Sequence, residues 1–309
     1  MLQIILHQDC ESCTTSENSF IWDFSKDFLF PLFLAGLAAY TAWFIFIRET
    51  KRDKLKEQHA ETQTQLDRLQ YFSNTVSSII SIVGQQKTFI DQFIEEIDKN
   101  ELEFHLLTFI PIHDLRRVTK DMDIEKYLLA YVSHYPENRK LTIKEFNEII
   151  GAIDYFYELL GSLHGQMEKA QQFDFERKKK YQDQHTNAHS LYGKIMMDKD
   201  IDKKLVTDLE AIGTNFFENF PNNYYDLQYF NDKYFEPFNG YLTDYLARTG
   251  NNNPMVLEFA AYTRDAKQTF QQIKNGNREL MADFNETSQA INSELVNLKM
   301  HSERLRAQF

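Results

Sequence analysis

Turn-forming residues are scarce in this chain, which has 10 glycines and 6 prolines in 309 residues. A β-sheet protein needs frequent turns, and the sequence has no series of short alternating apolar runs bounded by glycine, proline or asparagine. A predominantly β fold is therefore excluded. The sequence predicts an all-α protein: a single N-terminal transmembrane helix, followed by a cytoplasmic helical bundle with long coiled-coil-like helices.

Cysteine is almost absent as well. The two cysteines, Cys10 and Cys13, form a CxxC close to the N-terminus, and none follows them. Since a structural zinc site takes four ligands, we expect no zinc here and interpret the pair as free thiols or a small disulfide. A redox or intermolecular role is the alternative.

The common enzyme signatures are missing too. The sequence contains no GxxxxGK[ST], GxGxxG, GxSxG or HExxH motif. Its formal net charge of −12 disfavours nonspecific binding to nucleic acid, which depends on neutralising phosphates. These absences favour a function without catalysis, without a cofactor and without nucleic acid as a partner.

What the chain does have is one long uncharged segment, residues 28–47 (FLFPLFLAGLAAYTAWFIFI). As a helix these residues span about 30 Å, the thickness of the hydrocarbon core of a bilayer. Both tryptophans, Trp22 and Trp43, lie near its ends, where amphipathic rings prefer the headgroup level. We interpret 28–47 as a membrane span and 1–27 as a short extracytoplasmic segment.

Basic residues on one side of this segment predict its orientation. Arg48, Lys51 and Arg52 follow it at once, whereas Lys26 is the one basic residue among several acidic ones before it. Lysine and arginine near a span remain on the cytoplasmic side. Because the chain opens with an acidic, polar segment, we expect an uncleaved anchor in the cell membrane, with the N-terminus outside and the C-terminal region in the cytoplasm.

Two stretches carry a seven-residue apolar repeat, which is typical of long helices packed along one seam. The row in residues 48–100 is Leu55, Thr62, Leu69, Val76, Val83, Ile90 and Ile97; the row in residues 251–309 is Phe270, Asn277, Phe284, Ile291, Leu298 and Leu305. Spacing alone leaves open whether each seam pairs between chains or inside one bundle. We expect the two helices to pack together as a stalk, with residues 101–250 as a helical head. Thr142 and Glu145 form a capping box that predicts a helix start in this head.

Two polar patterns in the middle segment are candidates for chemistry. His185 and His189 would share one helix face, with Asp183 nearby, and such a pair can bind a metal. However, Thr186 stands where a zinc hydrolase has glutamate, so a polar surface is the alternative. The basic run at 177–180 (RKKK) is interpreted as a solvated face, with a phosphate-bearing partner as the alternative.

An aromatic block follows near residues 224–245. Its candidates for an interaction surface are Tyr225, Tyr229, Phe230, Tyr234 and Phe235. They cannot all face one side of one helix, so we expect some in the core and the rest in a groove for a partner or ligand.

Together these patterns predict a membrane-anchored helical interaction protein that acts as a scaffold or signal-relaying component. We expect it to bind a protein partner or to associate with itself through the heptad helices. One alternative is a bacterial membrane-associated defence effector of the abortive-infection type, with a cytoplasmic sensing head. A second alternative is a metal-dependent enzyme that uses His185 and His189. Tyr40 and Thr41 are the polar residues of the span, which leaves little to line a pore.

Overall fold

The computed structural model describes residues 25–218, 220 and 226–309. Every regular element within these ranges is helical, which confirms the all-α fold. The helices are α1 (Phe30–Lys99), α2 (His113–Arg116), α3 (Ile124–His134), α4 (Arg139–Met197), α5 (Lys203–Glu218), α6 (Leu227–Phe230), α7 (Glu236–Thr249), α8 (Pro254–His301) and α9 (Glu303–Arg306). Short π-helical turns precede α1 and follow α2 and α6.

Contacts divide the chain into two units, residues up to 67 and residues 68–309, and α1 contributes to both. Helix α1, with the π-helical turn before it, is the one described helix that is long and apolar enough to cross a membrane, and its apolar part lies in the first unit. None of its most apolar stretch is buried, whereas a core helix of a soluble protein would be mostly buried. Pro31 lies in the first turn of α1, where a missing N–H costs least.

The second unit has two hydrophobic cores. The first core joins the end of α1, the first half of α4 and the second half of α8. Phe93 and Phe284 meet there with ring centroids 5.0 Å apart, and Ser73 Oγ donates to the carbonyl of Leu305 at 3.5 Å. Phe93, late in α1, thus meets α8, whereas the earlier Ser73 meets α9, which follows α8, so α1 and α8 run antiparallel.

The heptad row of α1 divides at this unit boundary. Leu55 and Thr62 are exposed, but the row is buried inside the same chain from Leu69 to Ile97. The part of the seam from Leu69 to Ile97 is therefore packed inside one bundle, which was one of the two alternatives, the other being pairing between chains.

The second core joins the second half of α4 and the first half of α8 to α5, α6 and α7. Tyr181 of α4 packs against Phe270 of α8, with ring centroids 6.3 Å apart. Thus α8 extends through both cores, and so does α4. Each of these two helices has more than forty residues and is long enough to line both cores. The two cores therefore do not correspond to the expected stalk and head.

The expected capping box is wrong. Helix α4 begins four residues earlier than such a cap would place it, because the N-cap is Asn138, whose Oδ1 accepts from the backbone N–H of Leu141 at 3.2 Å. Thr142 instead donates to the carbonyl of Tyr135 at 3.0 Å. Asparagine is as good an N-cap as threonine, so the earlier cap extends the helix. The last long helix, α8, begins at Pro254, with Asn253 as its cap.

Candidate functional site

A cleft of about 1110 Å³ opens in the second unit, and we call it the aromatic cleft. Its walls come from four parts of the chain: the connector after α1, the middle of α4, the end of α5 with Phe220, and the start of α6. These parts are far apart in sequence and are brought together by the second core.

Phenylalanine rings form the floor of the aromatic cleft. Phe216 is buried, and its ring centroid lies 5.1 Å from that of Phe217, 5.2 Å from Phe220 and 5.5 Å from Phe230. Phe217 is 46% exposed, so the cluster presents an apolar face to the opening. Such a surface gains free energy when an apolar group covers it.

Polar contacts fix the wall formed by α6. Asp226 Oδ1 accepts from the backbone N–H of Tyr229 at 2.9 Å and so caps the helix. Tyr229 Oη then donates to the carbonyl of Phe216 at 2.9 Å. These two bonds hold α6 against α5 beside the aromatic floor.

The connector after α1 is attached to α8. Asn277 Nδ2 donates to the carbonyl of Glu101 at 2.8 Å, and the Glu101 carboxylate pairs with Arg278 and, at 3.1 Å, with Lys274. The hydrogen bond from Arg278 lowers the pKa of Glu101 most, although burial opposes it. Leu102 and Glu103 follow Glu101 directly in the chain, and both line the cleft.

His185 lies among the rings instead of on a polar surface. Its ring centroid is 4.6 Å from that of Phe230 and 5.2 Å from that of Tyr234, and it stacks on His189 at 6.1 Å. Nε2 of His185 is buried and has no hydrogen-bond partner among the described residues. Burial and, to a lesser extent, the nearby His189 together lower the pKa of His185 to about 4. The imidazole is therefore neutral at pH 7.

The two histidines bring two nitrogen ligands together. Among the described residues no group of three or more His, Cys, Asp or Glu side chains has the arrangement of a metal site. A catalytic zinc has three protein ligands, so the pair falls one short of such a site in this part of the chain.

The residues of the basic run of α4, 177–180, make different kinds of contact. Lys178 Nζ pairs with Asp174 at 2.8 Å, and Arg177 lies over the ring of Phe173. Lys179 is exposed, lines the cleft and makes no ion pair with a described residue. Asp174 is buried, and burial raises its pKa although Lys178 counteracts this shift. The run is thus part of the cleft wall as well as a solvated face.

The residues expected at an interaction surface separate into core and cleft. Phe230 lines the cleft and Tyr229 supports it, but Tyr234 and Phe235 are fully buried in the second core. Those two rings are core residues, because Phe235 packs against Tyr181 of α4, and Tyr234 packs against Phe216 of α5 and Phe238 of α7. Tyr225 lies outside the described residues.

Sequence reasoning missed the phenylalanines that α4 and α5 contribute to the cleft. Phe175, Phe216 and Phe217 all line it. A phenylalanine inside the charged stretch 174–180, and a Phe-Phe pair just before Pro221, are the sequence signals that point to them.

The predicted anchor residues that are described lie on α1. Trp43, Arg48, Lys51 and Arg52 are all exposed or half-buried, and the ring of Trp43 is 6.2 Å from that of Tyr40. Trp22, Cys10 and Cys13 lie outside the described residues.

Comparison with protein-family models, with curated proteins and with solved structures finds no match to this chain.

Proposed function

We propose that this chain is a membrane-anchored interaction protein, a scaffold or signal-relaying component. Residues 28–47 would hold it in the cell membrane, with the N-terminus outside and the helical unit of residues 68–309 in the cytoplasm. The exposed apolar segment of α1 and the basic residues after it support this arrangement. The helical unit would act by binding an occupant in the aromatic cleft.

The cleft is the observation that carries this proposal. Ligand sites are concave, mostly apolar and typically about 300–1,000 Å³ in volume. The aromatic cleft has about 1110 Å³, a phenylalanine floor and a few polar groups at its edge. Exposed aromatic rings of this kind also dominate the energetics of protein interfaces.

The polar groups of the cleft favour binding over catalysis. A nucleophile or general base normally has a hydrogen-bonded neighbour that orients it. His185 Nε2 has no such partner among the described residues, and the ring is held by aromatic contacts.

Photo-cross-linking tests the proposal. A photoreactive phenylalanine analogue in place of Phe217, in the cleft, is compared in living cells with the same analogue in place of Tyr155. Tyr155 is 40% exposed and lies outside the cleft. The proposal expects an adduct of defined mass from position 217 and none from position 155. Equal labelling from both positions, or none from either, would contradict it.

A further inference from the structure

The part of α1 that follows the apolar segment separates its charges by side. Acidic residues recur every four positions and form an acidic stripe, and basic residues recur in the same way one position earlier and form a basic stripe. The acidic stripe is Glu49, Asp53, Glu57 and Glu61, and the basic stripe is Arg48, Arg52 and Lys56. Because neighbouring residues of an α-helix point about 100° apart, the two stripes lie on different sides of α1. Lys51, Leu55 and Thr62 lie beyond the basic stripe, on the side away from the acidic one.

Neither stripe is neutralised within the chain. Residues 48–64 are all helical and exposed, and the one ion pair that they make with a described residue joins Arg52 Nε to Asp53 Oδ1 at 3.9 Å. Like charges four residues apart on a helix repel each other, so each stripe destabilises α1 when nothing covers it. A surface of opposite charge laid along a stripe would replace this repulsion by attraction.

The heptad row of α1 does not favour a symmetric pairing in this stretch. Leu55 is exposed, and the residues four and three positions before it, Lys51 and Arg52, lie on either side of it. In a parallel two-fold coiled coil the core residues meet their own counterparts, so a seam along Leu55 would bring like charges together. Contact between two unlike sides of the helix avoids this repulsion.

We propose that α1 associates with a second copy of this chain, with the basic stripe of one copy lying along the acidic stripe of the next. Copies held by the same membrane anchor are parallel and leave the membrane at the same residue, so Arg52 and Lys56 of one copy stand level with Asp53 and Glu57 of its neighbour. Such a contact joins two different sides, and it therefore builds a ring or an open row instead of a two-fold dimer. The inference rests on the proposed function, because the anchor sets this alignment, and it adds a surface for self-association.

The charges of this stretch favour a second copy over anionic lipid. Glu49 and Asp53 stand at the same depth as Arg48 and Arg52, and they would face the same headgroups. Segments that bind anionic lipid are instead clusters of basic residues. A second copy offers an acidic stripe of matching spacing and depth, which a fluid lipid surface does not.

Cysteine cross-linking in isolated membranes tests the contact. Thr62 lies on the basic side and Thr64 on the acidic side, two turns after Glu57; both are exposed, and their hydroxyls donate to carbonyls of their own helix. In a chain with Cys10→Ser and Cys13→Ser, the variants Thr62→Cys and Thr64→Cys are made separately, given different tags and produced together. A short bis-maleimide is then added to the membranes.

We expect a cross-linked product between positions 62 and 64, and little product between two copies of the same variant. A predominant product between two copies of Thr62→Cys would show symmetric pairing along the heptad row. No product at all would show that the copies do not meet along this stretch. Either result would overturn the inference.

Charge exchange tests what holds the copies together. Arg52→Glu combined with Lys56→Glu in the Thr62→Cys chain should lower the yield of the product roughly fivefold, the scale of a few exposed ion pairs turned into repulsion. The opposite exchange in the Thr64→Cys chain, Asp53→Lys combined with Glu57→Lys, should restore the yield.

The exchange leaves Arg48 and Lys51 next to the apolar segment unchanged, so the charge signal for orientation remains. Lys54→Glu in the Thr62→Cys chain is the control, because Lys54 lies outside the basic stripe and its substitution should keep the yield. A yield that does not fall after the first exchange would reject ion pairing between copies. A fall that the second exchange does not restore would assign Arg52 and Lys56 to anionic lipid and overturn the inference.

The outcomes separate this inference from the proposed function. A chain that is retained in the membrane without a product between positions 62 and 64 rejects the inference and leaves the anchor and the cleft in place. Recovery of the chain in the soluble fraction rejects the anchor, and the inference is rejected with it.

Discussion

The rings of Phe93 and Phe284 lie with their centroids 5.0 Å apart, and this contact joins α1 to α8 in the first core. Both side chains are buried, so the pair connects the helix that carries the apolar N-terminal segment to the last long helix of the bundle. The bundle is stabilised by such contacts between distant parts of one chain.

Truncating Phe284 to alanine should therefore destabilise the protein strongly. Its ring is fully buried, and removal of a buried phenylalanine ring costs about 3–5 kcal/mol of unfolding free energy through lost burial and the cavity left behind. Urea unfolding followed by circular dichroism measures the change. Phe173→Ala is the control, because Phe173 is 54% exposed and should cost less than about 1 kcal/mol. Similar losses for the two variants would count against the described core.

Gly213 is required by close packing of α5 on α4. A β-carbon at this position would lie 2.8 Å from Cζ of Tyr192, whose ring packs against Phe238 and Phe259. Gly213→Ala should destabilise by about 1–3 kcal/mol, because overpacking outweighs the better helix propensity of alanine. Thermal unfolding gives the comparison with Gly240→Ala, which meets nothing within 4 Å and should gain up to about 1 kcal/mol. A stabilised Gly213→Ala variant would show that Tyr192 does not cover this position.

His185 should make stability depend on pH. Its folded pKa is lowered to about 4 from the ordinary 6.5, so its contribution is fully present above pH 6.5 and is lost progressively as the pH falls toward 4. Between pH 7 and pH 5 this amounts to at most about 2 kcal/mol of unfolding free energy. His185→Phe keeps an aromatic ring among Phe230 and Tyr234 and should flatten this part of the pH profile.

Urea midpoints at pH 7 and pH 5 measure this effect, and an NMR titration of the imidazole gives the pKa directly. The control is His59→Gln, which replaces an exposed histidine that makes no ion pair and no ring contact with a described residue, so the variant should keep the pH profile of the natural protein. An unchanged pH profile in His185→Phe would show that His185 is not desolvated in the folded state.

Helix class and several helix boundaries could be predicted from the sequence because they depend on local signals. The apolar segment, the heptad rows and Pro254 are of this kind, and the structure has helices there. The start of α4 was missed because Thr142 has a glutamate three residues later, as a capping box requires, whereas Asn138 is the better single cap but has no such partner.

The aromatic cleft could not be predicted from spacing. Its walls bring Leu102, Phe175, Phe217 and Phe230 together from four parts of the chain, and no periodicity relates them. The sequence showed that the aromatic block was rich enough for both a core and a surface. Which rings were covered depended on the packing of α4, α5 and α8, and this is why Tyr234 and Phe235 became core residues.

Membrane topology is the first property to measure, because the proposal requires an anchor with the helical unit in the cytoplasm. Cys10 and Cys13 are the chain's own cysteines and precede the apolar segment. A membrane-impermeant maleimide is added to intact cells after mild reduction. In a second protein, Cys10→Ser and Cys13→Ser are combined with Met197→Cys, since Met197 is 85% exposed in the helical unit.

The proposal predicts that the natural cysteines react in intact, membrane-retained protein, and that Met197→Cys reacts only after the cells are lysed. Reaction of Met197→Cys in intact cells, or protection of Cys10 and Cys13 until lysis, would contradict the orientation. Recovery of the chain in the soluble fraction would contradict the anchor itself.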